Sequence, residues 1–228
     1  LIINYIDSFK KIRDGTMKKI LLAFLLISSA VIAQGGDFVA VLLPPPQREI
    51  GKPLMQALTL RKSSRSFDTR QLPLQDVSNI LWAAGGVNRP ASGNRTAPSA
   101  HNWKEIDIYI AFENGVYLYD AVSHLLLPVV EGDFRELFGV QDFVKTAPVN
   151  LLYVSDYAKI KSNDSEETKT IFTSADAGFM AQNVYLYCAS QDLSVVVRGL
   201  IPKEKLSKAL NLRMEQKILL SQTVGYGK

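Results

Sequence analysis

Leu54, Met55, Leu58 and Arg61 fall at helical spacing between Pro53 and Ser63, which predicts a helix that ends in a basic cluster. Val77, Ile80, Leu81 and Ala84 then line one face of a second helix over Leu74 to Ala84, with Gly85-Gly86 as its stop. Asn88 to Ser99 is rich in Gly, Pro, Asn and Ser and reads as loop. Ile106 to Phe112 and Val116 to Tyr119 flank Glu113-Asn114-Gly115, a hairpin signal because Asn-Gly suits the tight turns that match strand twist. A short helix is predicted over Phe134 to Phe138 and a buried strand over Pro148 to Ser155. The longest helical pattern is Thr170 to Ser190, with Ala177, Met180, Ala181, Val184 and Tyr187 on one face. Leu193 to Val197 and Lys217 to Val224 read as further strands, with a short helix at Pro202 to Ala209 between them. A few strands separated by helices of unequal length, with no repeat, predict an α+β fold and disfavour a doubly wound sheet.

The N-terminal pattern is of another kind. Met17-Lys18-Lys19 opens an unbroken run of apolar and small residues from Ile20 to Ala33. The run is too short for a hydrocarbon core of ~30 Å, which needs ~20 apolar residues. A basic start, a short apolar stretch and Val31-Ile32-Ala33 before Gln34 read as a secretory signal peptide; a buried N-terminal helix is the alternative. The lysine pair lacks the twin arginines of a folded-export signal, and no Cys near the cleavage point indicates a lipid anchor. The chain then divides into an upstream segment (1–16), the signal peptide (17–33), an extended lead-in with Pro44-Pro45-Pro46 (34–50) and one folded domain (51–228).

Composition alters this picture little. Apolar residues at 47% and charged residues at 21% are ordinary for a globular domain with a sizeable core. The formal charge of +4 hints at a nucleic-acid partner. Loss of Leu1 to Ala33 removes Lys10, Lys11, Arg13, Lys18 and Lys19 against Asp7 and Asp14, which leaves only +1 and takes away that support.

Candidate chemistry is sparse. No dinucleotide fingerprint and no phosphate-binding Gly-Lys-Ser/Thr loop is present. One cysteine and two histidines, far apart, give no zinc-ligand spacing, so no metal is expected. Cys188 lies in an apolar helical stretch and reads as a packed thiol more readily than as a nucleophile. Ser99, His101 and Asp107 could form a triad, but no nucleophile elbow accompanies them. Arg61-Lys62-Ser63-Ser64-Arg65-Ser66-Phe67 says more, because arginine forks and serine hydroxyls suit a phosphate, although a basic run alone is usually a solvated surface.

That cluster resembles the Arg-Arg-Ser-x-Arg-x-Phe opening of nitroreductase-family flavoproteins. Arg95-Thr96-Ala97-Pro98-Ser99-Ala100-His101-Asn102 is similar to the family's Pro-Ser-Ser/Ala-x-Asn segment. Tyr119-Asp120, Gln141-Asp142-Phe143 and Ala147-Pro148-Val149 resemble the middle of its shorter members, Gly178 to Asn183 its central helix, and Val224-Gly225-Tyr226 its Gly-Tyr-Pro close. The order and spacing of the motifs, from Leu54 to the end, make the likeness specific.

The resemblance implies a central, mostly antiparallel sheet flanked by helices, and an FMN-dependent oxidoreductase. Arg61, Ser63 and Arg65 would hold the FMN phosphate and ribityl chain, with Lys62 beside them. Pro98, Ser99, Ala100 and Asn102 would approach the flavin of the partner in a homodimer, although Asn102 also reads as a turn residue. Arg198 and Gly199 match a stretch whose backbone lies near the isoalloxazine ring. Gly227 stands where the family usually has Pro, and Lys228 is a candidate for the phosphate cation that relatives carry in a basic tail. Bound flavin would cycle electrons between a small-molecule reductant such as NAD(P)H and a nitroaromatic or quinone-like acceptor, with His101 a candidate pocket-lining donor. For an exported protein a membrane or partner donor is an alternative to NAD(P)H, although no stable membrane insertion of the chain itself is expected. A non-catalytic FMN-binding or carrier protein is the second functional reading.

Overall fold

The computed structural model describes Phe38 to Lys228. The upstream segment and the signal peptide lie outside the described residues.

The elements follow in the order β1 (Val41–Leu42), α1 (Leu54–Leu60), α2 (Leu74–Gly85), β2 (Val87–Arg89), β3 (Asn94–Arg95), β4 (Ile106–Ala111), β5 (Gly115–Asp120), β6 (Leu125–Glu131), β7 (Val149–Asp156), α3 (Glu166–Ser190), β8 (Ser194–Arg198), α4 (Lys203–Ala209) and β9 (Gln216–Gly225). Seven strands form one sheet in the order β1-β6-β5-β4-β7-β9-β8, and every adjacent pair is antiparallel. The fold is therefore the α+β arrangement that the sequence predicts.

Strand periodicity divides the core into two layers. Ile106, Ile108 and Ile110 of β4 with Leu151 and Tyr153 of β7 pack beneath Val77, Ile80, Leu81, Ala177, Met180 and Val184 of α2 and α3. Tyr109, Ala111, Leu152 and Val154 point the other way, toward Phe138, Val144, Leu206 and Leu210. All eight residues of β7 are buried, as a strand covered on both faces requires. Cys188 is fully buried, and burial pushes its thiol well above the usual range, so it is the packed thiol.

Three sequence expectations are corrected. The first helix stops at Leu60, so Arg61 to Phe67 is not helical but extended after it. The Asn88 to Ser99 loop contains the β2–β3 ladder, closed through Pro90 and Gly93. The central helix starts four residues before Thr170, because the Ser165 hydroxyl accepts Thr168 N–H at 3.2 Å and caps a polar first turn that apolar periodicity does not reveal. The described part of the lead-in, from Phe38, docks on the domain: Ser78 Oγ donates to the Pro44 carbonyl at 2.6 Å, and β1 pairs with β6. Strand β6 itself has no counterpart in the sequence pattern. It carries Pro128, opposite Tyr117 beside a register shift, and faces only the two-residue β1 on its outer side, where a missing donor costs little.

The buried chain Tyr153 Oη to Gln222 Oε1 (2.6 Å) and Gln222 Nε2 to the Ala181 carbonyl (3.0 Å) ties β7 and β9 to α3. Tyr153→Phe orphans the Gln222 carbonyl oxygen and is expected to lower stability by about 1–3 kcal/mol. Urea denaturation checks this; an unchanged midpoint would mean that water or a rotated amide satisfies the group.

Candidate functional site

The basic segment after α1 runs beside the edge strand β8. Ser64 N–H donates to the Val195 carbonyl at 2.9 Å, and Ser194 Oγ donates to Ser64 Oγ at 3.2 Å. Tyr185 of α3 fastens the same stretch: its phenol accepts Val197 N–H at 2.9 Å and pairs with Ser63 Oγ at 2.8 Å. The Arg61 guanidinium lies 5.4 Å from the centroid of the Tyr185 ring, a cation–π distance. Phe67 is buried against Phe143 and closes the segment.

The C-terminus is drawn to this place. Asp68 N–H donates to the Tyr226 carbonyl at 2.9 Å, and Arg70 stacks 3.5 Å over the Tyr226 ring. Gly227 and Lys228 then line a cavity of about 340 Å³ together with Lys62, Ser64, Ser194 and Asp192. Asp192 is already paired with Lys52 at 2.6 Å. Arg61, Lys62, Arg65 and Lys228 make no ion pair among the described residues. A β-carbon at Gly227 would stand 2.9 Å from Ser194 Oγ, which gives a local reason for glycine at that position.

Pro98, Ser99 and Asn102 line a second cavity, also about 340 Å³, with Arg95, Lys104 and Glu105. Their segment is tightly folded: His101, Asn102 and Lys104 all have left-handed backbone, with φ of 49°, 58° and 54°. Ala100 N–H donates to Asp176 Oδ2 of α3 at 2.8 Å. Ser99 Oγ donates to Glu105 Oε2 at 3.1 Å and accepts Lys104 N–H at 2.8 Å. His101 stacks on Trp103 at 4.9 Å and meets the edge of Phe172, while Asp107 pairs with Lys159 at 2.5 Å. The three triad candidates are thus committed to separate partners, and His101 is not among the residues lining the cavity.

Arg198 and Gly199 end β8. The Arg198 side chain turns inward, where it donates to Thr223 Oγ1 at 2.5 Å, Ser221 Oγ at 3.0 Å and the Phe138 carbonyl at 3.3 Å. Burial lowers its pKa to about 10. Only the backbone there is left for a ligand, and a β-carbon at Gly199 would meet nothing within 4 Å.

The ten sequence candidates therefore fall into two groups. Arg61, Lys62, Ser63 and Arg65 share the β8 edge with the strand that ends in Arg198 and Gly199. Pro98, Ser99, Ala100 and Asn102 attach to α3 through Asp176, nine positions before Tyr185, or roughly 13 Å along the axis at 1.5 Å per residue. Sequence reasoning missed Tyr185, Ser194, Glu105 and Asp176, which hold the two groups in place. Tyr185 and Asp176 share the buried face of α3 with Ala177, Ala181, Val184 and Cys188, and that periodicity was the available signal.

The nitroreductase family model matches residues 58–226. The chain belongs to the nitroreductase family. A protein of Methanocaldococcus jannaschii, named as a candidate nitroreductase, is 28% identical over 188 residues, 78% of this chain and 92% of its own length. The crystal structure of a candidate nitroreductase from Ralstonia eutropha JMP134 superposes with a TM-score of 0.80 at 42% identity, covering 85% of this chain and 92% of that one. The NADPH:FMN oxidoreductase of Vibrio harveyi, solved with NAD+, shares the fold at a TM-score of 0.59 and 17% identity, covering 77% of this chain and 69% of that one. Membership places the chain among oxidoreductases. Among the described residues no cluster of metal ligands is present, and no helix is long and apolar enough to cross a membrane.

Proposed function

We propose that the chain is an FMN-dependent oxidoreductase that passes electrons from a reductant such as NAD(P)H to a small nitroaromatic or quinone-like acceptor. The observation that carries this reading is the gathering of Arg61, Lys62 and Arg65, the Ser63 and Ser64 hydroxyls, and Lys228 at one sheet edge without a neutralising ion pair among the described residues. Clustered cations whose neighbouring carboxylate, Asp192, is already paired with Lys52 fit a phosphate, and the open backbone at Gly199 on the same edge fits a flat ring that must come close. A bound flavin supplies the reversible two-electron chemistry. The polypeptide then has three tasks: to neutralise the phosphate, to leave room above the ring, and to fix the segment that closes the site.

The reading favours a homodimer. Pro98 to Asn102 is attached to α3 well away from the basic cluster, so one chain supplies the two groups at different places. Leu54 (61% exposed) and Met55 (74%) of α1, with Ile171 (62%) and Phe179 (47%) of α3, leave apolar surface for a second copy to cover. We also place the mature protein outside the cytoplasm, on the export pattern of Met17 to Ala33. Turnover, rather than passive carriage of flavin, is favoured by membership of a family of oxidoreductases.

Acid extraction and chromatography of the cofactor should give FMN; FAD, or no flavin after incubation with excess FMN, would overturn the reading. Arg65→Ala is expected to weaken FMN binding about tenfold to a hundredfold, since a hydrogen bond to a charged group contributes roughly 1.5–3 kcal/mol. Arg65→Lys, which keeps the charge and loses the fork, should fall between. Fluorescence titration of FMN into folded apo-protein is the measurement, and equal affinities would make the cluster a solvated charge run. Light scattering on the FMN-loaded protein should report a dimer; a monomer that retains FMN would withdraw the partner role of Pro98 to Asn102. N-terminal sequencing of the protein from its native host should begin at or near Gln34, and an intact Met17 start would defeat export.

A further inference from the structure

Glu105 is 0% exposed and Asp176 is 3% exposed, and neither makes an ion pair among the described residues. Asp176 Oδ2 accepts Ala100 N–H, and Glu105 Oε2 accepts the Ser99 hydroxyl. Glu105 Oε1 is buried and has no side-chain or backbone donor from another residue among the described residues. Ser99 and Ala100 are consecutive, so these two contacts bring the carboxyls of Glu105 and Asp176 to neighbouring positions. Two ionised carboxylates are acceptors only and cannot bond to each other. One proton turns the second carboxyl into a donor and removes one of two adjacent buried charges.

The surrounding charges do not supply an alternative. Arg95 donates to the Ile106 carbonyl; Asp107 is its strongest carboxylate neighbour, Glu105 is a weaker one, and Arg95 makes no ion pair with either among the described residues. The Lys104 ammonium lies toward the β2–β3 turn, 3.6 Å from where a β-carbon on Gly93 would stand. On the strand side, Asp156 N–H donates to the Glu105 carbonyl, while the Asp156 carboxylate is held by Arg213 at 2.6 Å. His101 is turned toward Trp103 and Phe172.

We propose that Glu105 and Asp176 hold a single proton between them, and that this proton makes Glu105 a positioning residue for the segment from Ser99 to Lys104. The segment needs such a clamp. Three of its non-glycine residues are left-handed, a conformation that persists only where the surroundings impose it. The pair grips it at Ser99 and Ala100, and Ser99 passes the hold to Lys104 N–H. Loss of the proton leaves two buried anions facing each other, and the clamp opens. The consequence for cofactor binding rests on the flavin reading above; the shared proton itself does not.

Burial pushes Glu105 up to about 7, and Asp176 is raised by the same cause. For an acid whose folded-state value is raised, the folded protein holds a proton that the unfolded chain has released, so stability falls as pH rises from ~4.5 toward 7 and levels above it. Near pH 8 about one tenth of the free protein keeps the proton. FMN affinity, if only the clamped form binds, then falls about tenfold between pH 6 and 8.

The test compares wild type with Glu105→Gln, whose amide donates without a titratable proton while its oxygen accepts from Ser99. Thermal melting of the cofactor-free mature protein from about pH 5 to 8 should show a midpoint that declines toward pH 7 in wild type and loses that decline in the variant. FMN titration over the same range should show the tenfold loss in wild type and less than about twofold in the variant. Should Glu105→Gln not fold, Asp176→Asn serves, since its amide donates to Glu105 and its oxygen accepts Ala100 N–H. A variant that follows the wild-type pH dependence in both measurements overturns the shared proton. A melting profile that flattens in the variant while neither protein binds FMN supports the proton and sinks the flavin reading instead.

Discussion

The burial of α3 against the sheet is the constraint on which the rest of the site depends. The helix cannot turn or slide without exposing Ala177, Met180, Ala181 and Val184, which pack over the central strands. Because that face is fixed, the polar residues interleaved with it are fixed too. Asp176 meets the Ala100 amide near the middle of the helix, and Tyr185 meets Ser63 and Val197 further along. Two segments outside the sheet and the α-helices, one basic and one left-handed, take their geometry from one rigid rod. The apolar face thus does two jobs: it closes the core, and it sets the spacing of the functional groups.

That spacing has a consequence for assembly. A helix rises 1.5 Å per residue, so groups anchored nine positions apart are separated by more than the length of a phosphate contact. In the proposed homodimer a two-fold axis would bring the two segments of different copies together and give two equivalent sites from one surface. The charge distribution agrees with this division. The basic segment carries cations without an ion pair among the described residues, whereas the left-handed segment rests on buried acids, so the two differ in chemistry.

Elements whose apolar residues repeat over ten or more positions were legible in the sequence. The central helix and the Leu74 helix emerge because burial of one face leaves a periodic trace, and the β4–β5 hairpin because Asn114-Gly115 marks its turn. Elements held by single polar contacts were not. The first turn of α3 depends on the Ser165 cap, β6 survives a proline because it lies near the sheet edge, and β2–β3 is a ladder of a few residues within a turn-rich stretch. The same division applies to the site. Arg61 to Arg65 and Pro98 to Asn102 were recognisable as motifs, whereas their anchors Tyr185, Glu105 and Asp176 carry meaning only through partners distant in the chain. A buried glutamate two residues before a strand's aspartate looks like any charged loop residue until its environment is known.

Arg198 shows how side chain and backbone of one residue can have different work. In the sequence it is a cation beside a glycine, in a stretch whose backbone the family resemblance places near the flavin. In the structure its guanidinium is spent inward on Thr223, Ser221 and the Phe138 carbonyl, over the face of Phe143. These neutral acceptors anchor the end of β8 to its neighbour β9 and to the layer beneath, so the strand ends at a fixed point. The backbone beyond it is then free of side chain at Gly199, where open space lies on the β-carbon side. The arginine holds the edge still and the glycine leaves it bare. A side chain pointing outward at position 198 would give up that anchoring, and a side chain at 199 would fill the space that a flat ring requires.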